Sequence, residues 1–206
     1  MAQIHSGVDT KVDRPTPKIP PDQWLNQLLK SLTTPQQRTI ALFMSFTGCR
    51  VGEACKVLVK HYDPERGRVF IEKTKTGDAR EAVLTELVNR AMQLLDRSDP
   101  NARFFGYATR SSVRQAFKRA CDRAGLDYYS PHKLGRHAFA KRILAEDQSL
   151  KLLMEAGGWK SLTAVNVYAH LERSQIESAV RSVSTQLDTK LAQKLFDKKS
   201  EEQKII

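Results

Sequence analysis

"GGWKSLTAVNVYAHL", Gly157 to Leu171, decides how the C-terminal half of this chain folds. Trp159 precedes Tyr168 by nine positions. On one unbroken helix, nine steps of about 100° would put the two rings on opposite faces. The Gly157-Gly158 pair and the Ser161-Leu162-Thr163 start signal predict something else: a turn near Trp159, then a new helix that delivers Tyr168 to the same side. Two core aromatics are one reading of the pair. A tyrosine nucleophile beside a tryptophan is the other.

Working outward, the pattern is mostly helical. Asp22 is placed to cap a first helix through Leu32. Thr34 and Pro35 read as the N-cap and first-turn proline of a second helix ending near Gly48. The second helix carries an almost continuous apolar run (Ile40, Ala41, Leu42, Phe43, Met44, Phe46), which predicts a central position. A short helix is expected through Cys55 and Val59. Arg68 to Lys73 and Glu81 to Leu84 are β-prone runs around a Thr76-Gly77-Asp78 turn and predict a hairpin. Helical patterns resume at 85–96, 111–124 and 135–146, with two more on either side of the glycine pair. From Gln175 to Phe196, apolar residues at Ile176, Val180, Val183, Leu187, Leu191 and Leu195 form one helical stripe. The expected class is mainly α with a small inserted antiparallel β-sheet (α+β).

Bulk properties set the partner class. The 206 residues suffice for one domain with a full core. They are 40% apolar and 28% charged, which argues against a disordered chain. No apolar run approaches the roughly 18 residues of a membrane span, and Met1 to Pro20 has no signal-peptide core. A cytoplasmic protein is expected. Cys49, Cys55 and Cys121 form no CxxC pair, so neither a disulfide framework nor a zinc site is predicted. The net charge of +11 favours a polyanion, nucleic acid before membrane.

Three further clusters carry candidate chemistry. In "TGCRVGE", Thr47 to Glu53, Arg50 follows the end of an apolar helix, where its position is fixed. A guanidinium there can grip a phosphate through two parallel hydrogen bonds, or simply pair with Glu53. In "EKTKTGDAR", Glu72 to Arg80, Lys73 and Lys75 sit on the arms or tip of the hairpin, to enter a groove or to blunt an edge. "SPHKLGRHAFA", Ser130 to Ala140, sets His132, Lys133, Arg136 and His137 at a helix start, a phosphate site or a solvated basic face.

In this order, Arg50, a hairpin lysine, His132 with Arg136, and Trp159 with Tyr168 resemble the catalytic domain of the tyrosine recombinases, the phage integrase family. The resemblance covers about Pro20 to Leu171. "TGCRVGE" resembles the family's first arginine box, "KTG" with Lys75 its hairpin lysine, "RHAFA" its second arginine box, and the opening stretch its final box. One departure stands out. The family has His-x-x-Arg, whereas His132 and Arg136 are separated by three residues, with Gly135 as the extra. Counting back from Arg136 puts Lys133 in the histidine place. Local unwinding at Gly135 would restore His132 instead.

The resemblance implies a site-specific recombinase or integrase acting on double-stranded DNA through a covalent 3′-phosphotyrosyl intermediate. Neither metal nor nucleotide cofactor is implied. Tyr168 would be the nucleophile. Arg50 and Arg136 would hold the phosphate, and Trp159 would pack on it. His132 would exchange a proton with Tyr168, and Lys75 would protonate the leaving 5′-oxygen. A type IB topoisomerase and a non-cleaving DNA-binding relative are the alternatives. Residues 1–20 are expected to be a tail or linker, 21–172 the catalytic domain, and 173–206 a helical extension exchanged between subunits of a homo-tetramer on DNA.

Overall fold

Thr34 and Pro35 start the helix around which the fold is built. In the computed structural model, which describes residues 18–73, 78–146 and 149–169, the Thr34 hydroxyl accepts the Gln37 N–H and Pro35 opens α2 (Pro35–Thr47). Gly48 ends it in the left-handed region at φ 64°. A Cβ at Gly48 would also lie 2.5 Å from the Phe139 ring, so only glycine fits there. Thr39 through Ser45 are all buried, as the unbroken apolar run predicts.

α1 (Asp22–Ser31) buries Trp24, Leu25 and Leu28 against α5 (Arg110–Ala124), and Trp24 Nε1–H donates to the Asp127 carbonyl at 2.7 Å. Asp22 is not the cap expected of it. Pro21 holds that place, and the Asp22 carboxylate accepts from Arg142 at 2.8 Å. α3 (Val51–Ala54) also stops earlier than its sequence suggests. Val57 and Leu58 instead run beside the Arg103–Phe104 segment, with Phe104 N–H donating to Val57 O at 2.8 Å. Backbone pairing with a distant segment overrides local helix continuation here.

Among the described residues the sheet has three antiparallel strands in the order β1 (Tyr62–Asp63), β2 (Arg68–Ile71), β3 (Arg80–Val83). The β2–β3 hairpin was expected and the two-residue β1 was not. Register pairs Val69 with Ala82 and Ile71 with Arg80, so these four share the inner face. The expected turn at the tip, with Lys75, lies mostly outside the described residues.

α4 (Glu86–Gln93), α5, α7 (Leu150–Gly157) and α8 (Leu162–Val165) each begin at a hydroxyl, from Thr85, Thr109, Ser149 and Ser161, that accepts the backbone N–H three residues on. α6 (Ala138–Glu146) follows a single π turn, Lys133–His137. Among the described residues two apolar clusters result. The larger joins α1, α2, α4, α5 and the sheet, and includes Cys49 and Leu134. The smaller gathers Phe139, Ala140, Leu144, Leu153, Trp159, Val165 and Tyr168. Trp159 and Tyr168 belong to the smaller cluster, and Leu134, in the turn that carries Arg136, to the larger. No helix among the described residues is long and apolar enough to cross a membrane. The expected C-terminal stripe, Ile176 to Leu195, lies outside the described residues.

Candidate active site

The end of α2 fixes the first cation. Arg50 directly precedes α3, and Glu53 locks it in place: Arg50 N–H donates to one carboxylate oxygen at 2.9 Å and its Nη1 to the other at 2.7 Å. Glu53 is 5% exposed and Arg50 29%, so the carboxylate is interior while the guanidinium reaches outward. Burial alone would raise the Glu53 pKa. The Arg50 hydrogen bonds and the charges of Arg50 and Arg80 outweigh burial and hold it below the usual carboxylate value. The two early readings of Arg50, ion pair and phosphate ligand, are therefore compatible.

The π turn supplies the second cation. The Ala138 N–H reaches back five residues to the Lys133 carbonyl, which absorbs the extra residue in the basic box. Gly135 permits this close pass, because a Cβ there would lie 3.1 Å from the Cys49 carbonyl and 3.3 Å from Met44 Cβ. Arg136 is 2% exposed. Its Nη1 donates to the carbonyls of Gly48 at 3.1 Å and Gly157 at 2.6 Å, and its guanidinium lies 3.6 Å from the centre of the Trp159 ring. Nη2 has no hydrogen-bond partner among the described residues. Burial, then the charge of Arg50, bring the Arg136 pKa down to about 10.

The turn predicted after Gly157 brings Trp159 and Tyr168 together. Gly158 ends α7 at φ 66°, Ser161 caps α8, and a 3₁₀ turn (Asn166–Tyr168) completes the reversal. The two rings meet edge to face, 5.9 Å apart. Gly157 has its own steric role: a Cβ would fall 1.8 Å from Trp159 Cζ3. Gly157→Ala must therefore displace Trp159 from Arg136. Overpacking of this kind costs about 1–3 kcal/mol, and the midpoint of thermal unfolding should fall by several degrees.

Sequence reading noted His137 within the basic box but gave it no role, and the structure puts it on the phenol. His137 Nδ1 lies 2.7 Å from the Tyr168 hydroxyl. His132 sits behind, its ring 4.9 Å from that of His137 and edge-on. The π turn that begins just after His132 carries His137 round to meet its ring edge to face. Counting with the α-helical period hides this pair. Burial pushes the Tyr168 hydroxyl up to about 12, against the pull of Arg136. Burial, with His132, Lys133 and Arg136 nearby, brings His137 down to about 4. Burial, then Arg136 and Arg50, also lower His132. Both imidazoles are neutral at pH 7.

Neutral buried histidines make stability fall with acid. Folded His137 titrates near 4 against an ordinary 6.5, so the unfolded chain binds more protons between those values. Its contribution is fully present above pH 6.5 and is lost as pH falls towards 4. Thermal melts from pH 7 to about 4.5, above most carboxylate titration, should show a falling midpoint, flattened in His137→Gln.

Arg80 is a second residue that sequence reading passed over. Its side chain is 14% exposed, and Nη2 stands 3.9 Å from Glu53. Alternation with Ala82 and Leu84 already aimed it inward. Beside Arg50, α3 and the start of α5 enclose a cavity of ≈ 610 Å³, with Lys56, Arg103 and Arg110 on its wall. Lys75 lies outside the described residues. No group of three or more His, Cys, Asp or Glu among the described residues is arranged to hold a metal ion.

The family model of the phage integrases, "Phage integrase family", matches residues 21–175. The chain belongs to the phage integrase family. Among relatives, tyrosine recombinase XerC of Oceanobacillus iheyensis is 28% identical over 82% of this chain and 62% of its own. Tyrosine recombinase XerA of Pyrococcus furiosus is 25% identical over 82% of this chain and 63% of its own. The chain thus spans less than two thirds of the length of these curated relatives. The catalytic domain of bacteriophage HP1 integrase superposes with a TM-score of 0.63 at 21% identity, over 80% of this chain and 94% of that one. XerH site-specific recombinase, solved on its palindromic difH substrate after cleavage, superposes with a TM-score of 0.64 at 24% identity, over 85% of this chain and 56% of its own. These similarities establish the family's catalytic-domain fold, mostly helical with a small antiparallel sheet.

Proposed function

We propose that this chain is a site-specific DNA recombinase that cuts and rejoins duplex DNA through Tyr168. The observation that carries the reading is the Tyr168 hydroxyl bonded to His137 beside Arg136, which is stacked on Trp159. A buried tyrosine hydroxyl needs one hydrogen-bond partner; that this partner is an imidazole, with Arg136 stacked on the adjoining Trp159 ring, favours a nucleophile over plain core filling.

The residue types dictate the steps. Arg50 and Arg136 grip the non-bridging oxygens of the scissile phosphate and stabilise the charge of the five-coordinate transition state. Arg136 Nη2 is a donor still available for that purpose. The Tyr168 oxygen bonds to phosphorus as the bond to the 5′-oxygen breaks. The phenol proton passes to His137 Nδ1, with His132 buttressing the ring, and Lys75 protonates the leaving oxygen. Trp159 holds the Arg136 guanidinium flat and closes the site. Rejoining reverses each step with an incoming 5′-hydroxyl. The covalent bond retains the phosphodiester energy, so the cycle needs no nucleotide.

Resting chemistry is silent. Burial favours both the neutral phenol and the neutral imidazole, and Tyr168 is 2% exposed. DNA entry uncovers the phenol, and the phosphate anion raises the affinity of His137 for a proton. The charge of +11 and the basic cavity beside Arg50 favour the duplex backbone. The XerH complex with difH lends support by family likeness. Residues 173–206, with their apolar stripe, exchange between protomers of a DNA-bound homo-tetramer.

A nicked suicide duplex carrying the cognate site tests this reading. Loss of a short 5′-hydroxyl fragment should trap a protein–DNA adduct that survives denaturant and forms undiminished in chelator. Sizing the native complex should give four chains. Failure of any adduct to form on cognate DNA would overturn the proposal.

A further inference from the structure

Two terminal nitrogens of one arginine are left over. Arg80 Nη1 and Nη2 are buried and have no hydrogen-bond partner among the described residues. Buried guanidinium groups ordinarily satisfy their donors, so an arginine kept in this state calls for an explanation. Strand pairing accounts for its direction: Arg80 pairs with Ile71 and shares the inner face with Ala82. Packing accounts for its rigidity. A Cβ at Gly158 would lie 2.5 Å from Arg80 Nε and 2.7 Å from its Cδ, so the Arg80 stem lies directly against the turn that leads to Trp159.

We propose that Arg80 is a positioning residue for strand transfer, which holds Glu53 in check so that the charge of Arg50 remains for the phosphate. This rests on the recombinase reading above. Glu53 meets Arg50 at 2.7 Å and Arg80 at 3.9 Å. Without Arg80, Glu53 would offset more of the Arg50 charge that an anion meets. With it, Arg50, Arg80 and Arg136 set three positive charges against one negative. The field of Arg80 reaches Glu53, Arg136 and Cys49 alike. Arg80 itself need not touch DNA: it acts through Glu53 and through the Gly158 turn.

The test compares two scissile groups, an ordinary phosphodiester and a methylphosphonate, which has the same shape without the negative charge. Wild-type adduct formation on the phosphodiester is the control. If it is absent, the recombinase reading fails before Arg80 is reached. Given that control, Arg80→Gln should slow adduct formation on the phosphodiester by about 10–100-fold, somewhat less than loss of a donor that touches the phosphate. On the methylphosphonate, wild type and Arg80→Gln should agree within about threefold, because a neutral centre draws little on the net charge. Arg80→Lys, which retains the charge, should recover most of the phosphodiester rate. An equal loss on both substrates would mean that Arg80 only props up the fold, and would overturn the proposal. So would Arg80→Gln cleaving the phosphodiester at the wild-type rate.

Discussion

Tyr168→Phe should form no covalent adduct on a suicide duplex that traps the wild-type chain. The variant loses one oxygen and keeps the ring, so the edge-to-face contact with Trp159 and the place in the smaller cluster survive. Its stability should fall by only about 1 kcal/mol, the worth of one hydrogen bond, here that to His137 Nδ1. DNA binding should persist, because the basic wall and both arginines are untouched. Binding without cleavage is therefore the predicted signature, read by mobility shift and denaturing gel on the same samples. Cleavage at even a thousandth of the wild-type rate, by a route that leaves an adduct, would place the nucleophile elsewhere.

Arg136→Lys should cost about 10²–10³-fold in cleavage rate, the usual range for losing a preorganised donor at a transition-state oxygen. Charge is retained in this variant, and geometry is not. A lysine cannot lie flat on Trp159 at 3.6 Å, donate to Gly48 and Gly157, and still present a fixed donor to a phosphate. Two interior carbonyls then lose their partner, which adds a stability loss of about 1–3 kcal/mol each in the worst case. Rate should be measured well below the melting midpoint, so that the chemical loss is separated from unfolding. Cleavage by Arg136→Lys within a fewfold of wild type would deny Arg136 a role at the phosphate.

The elements most legible in the sequence were those with strong local chemistry. Thr34-Pro35 and Gly48 bound α2, and the Ser161 cap with the glycine pair foretold the reversal that joins Trp159 to Tyr168. Misses had a common cause in non-local pairing or non-α geometry. Val57 leaves the helical path because Phe104, far along the chain, bonds to its carbonyl. β1 has two residues, too few for alternation to show. Gly135 stands out in the sequence as an extra residue, but the π turn that absorbs it also sets His132 edge-on to His137, and this brings His137 rather than His132 to the phenol. Arg80 was overlooked for a different reason. Arginine on a strand usually faces water, and only its parity with Ala82 indicated otherwise.

Mass spectrometry of the trapped adduct is the most direct test of the central claim. The chain has five tyrosines, and trypsin isolates Tyr168 from the other four within Ser161–Arg173. After nuclease digestion, that peptide alone should carry the nucleotide, linked from the Tyr168 oxygen to a 3′-phosphate, with the released strand ending in a 5′-hydroxyl. A nucleotide found on Tyr62, Tyr107, Tyr128 or Tyr129, or a released strand ending in a 5′-phosphate, would contradict the account.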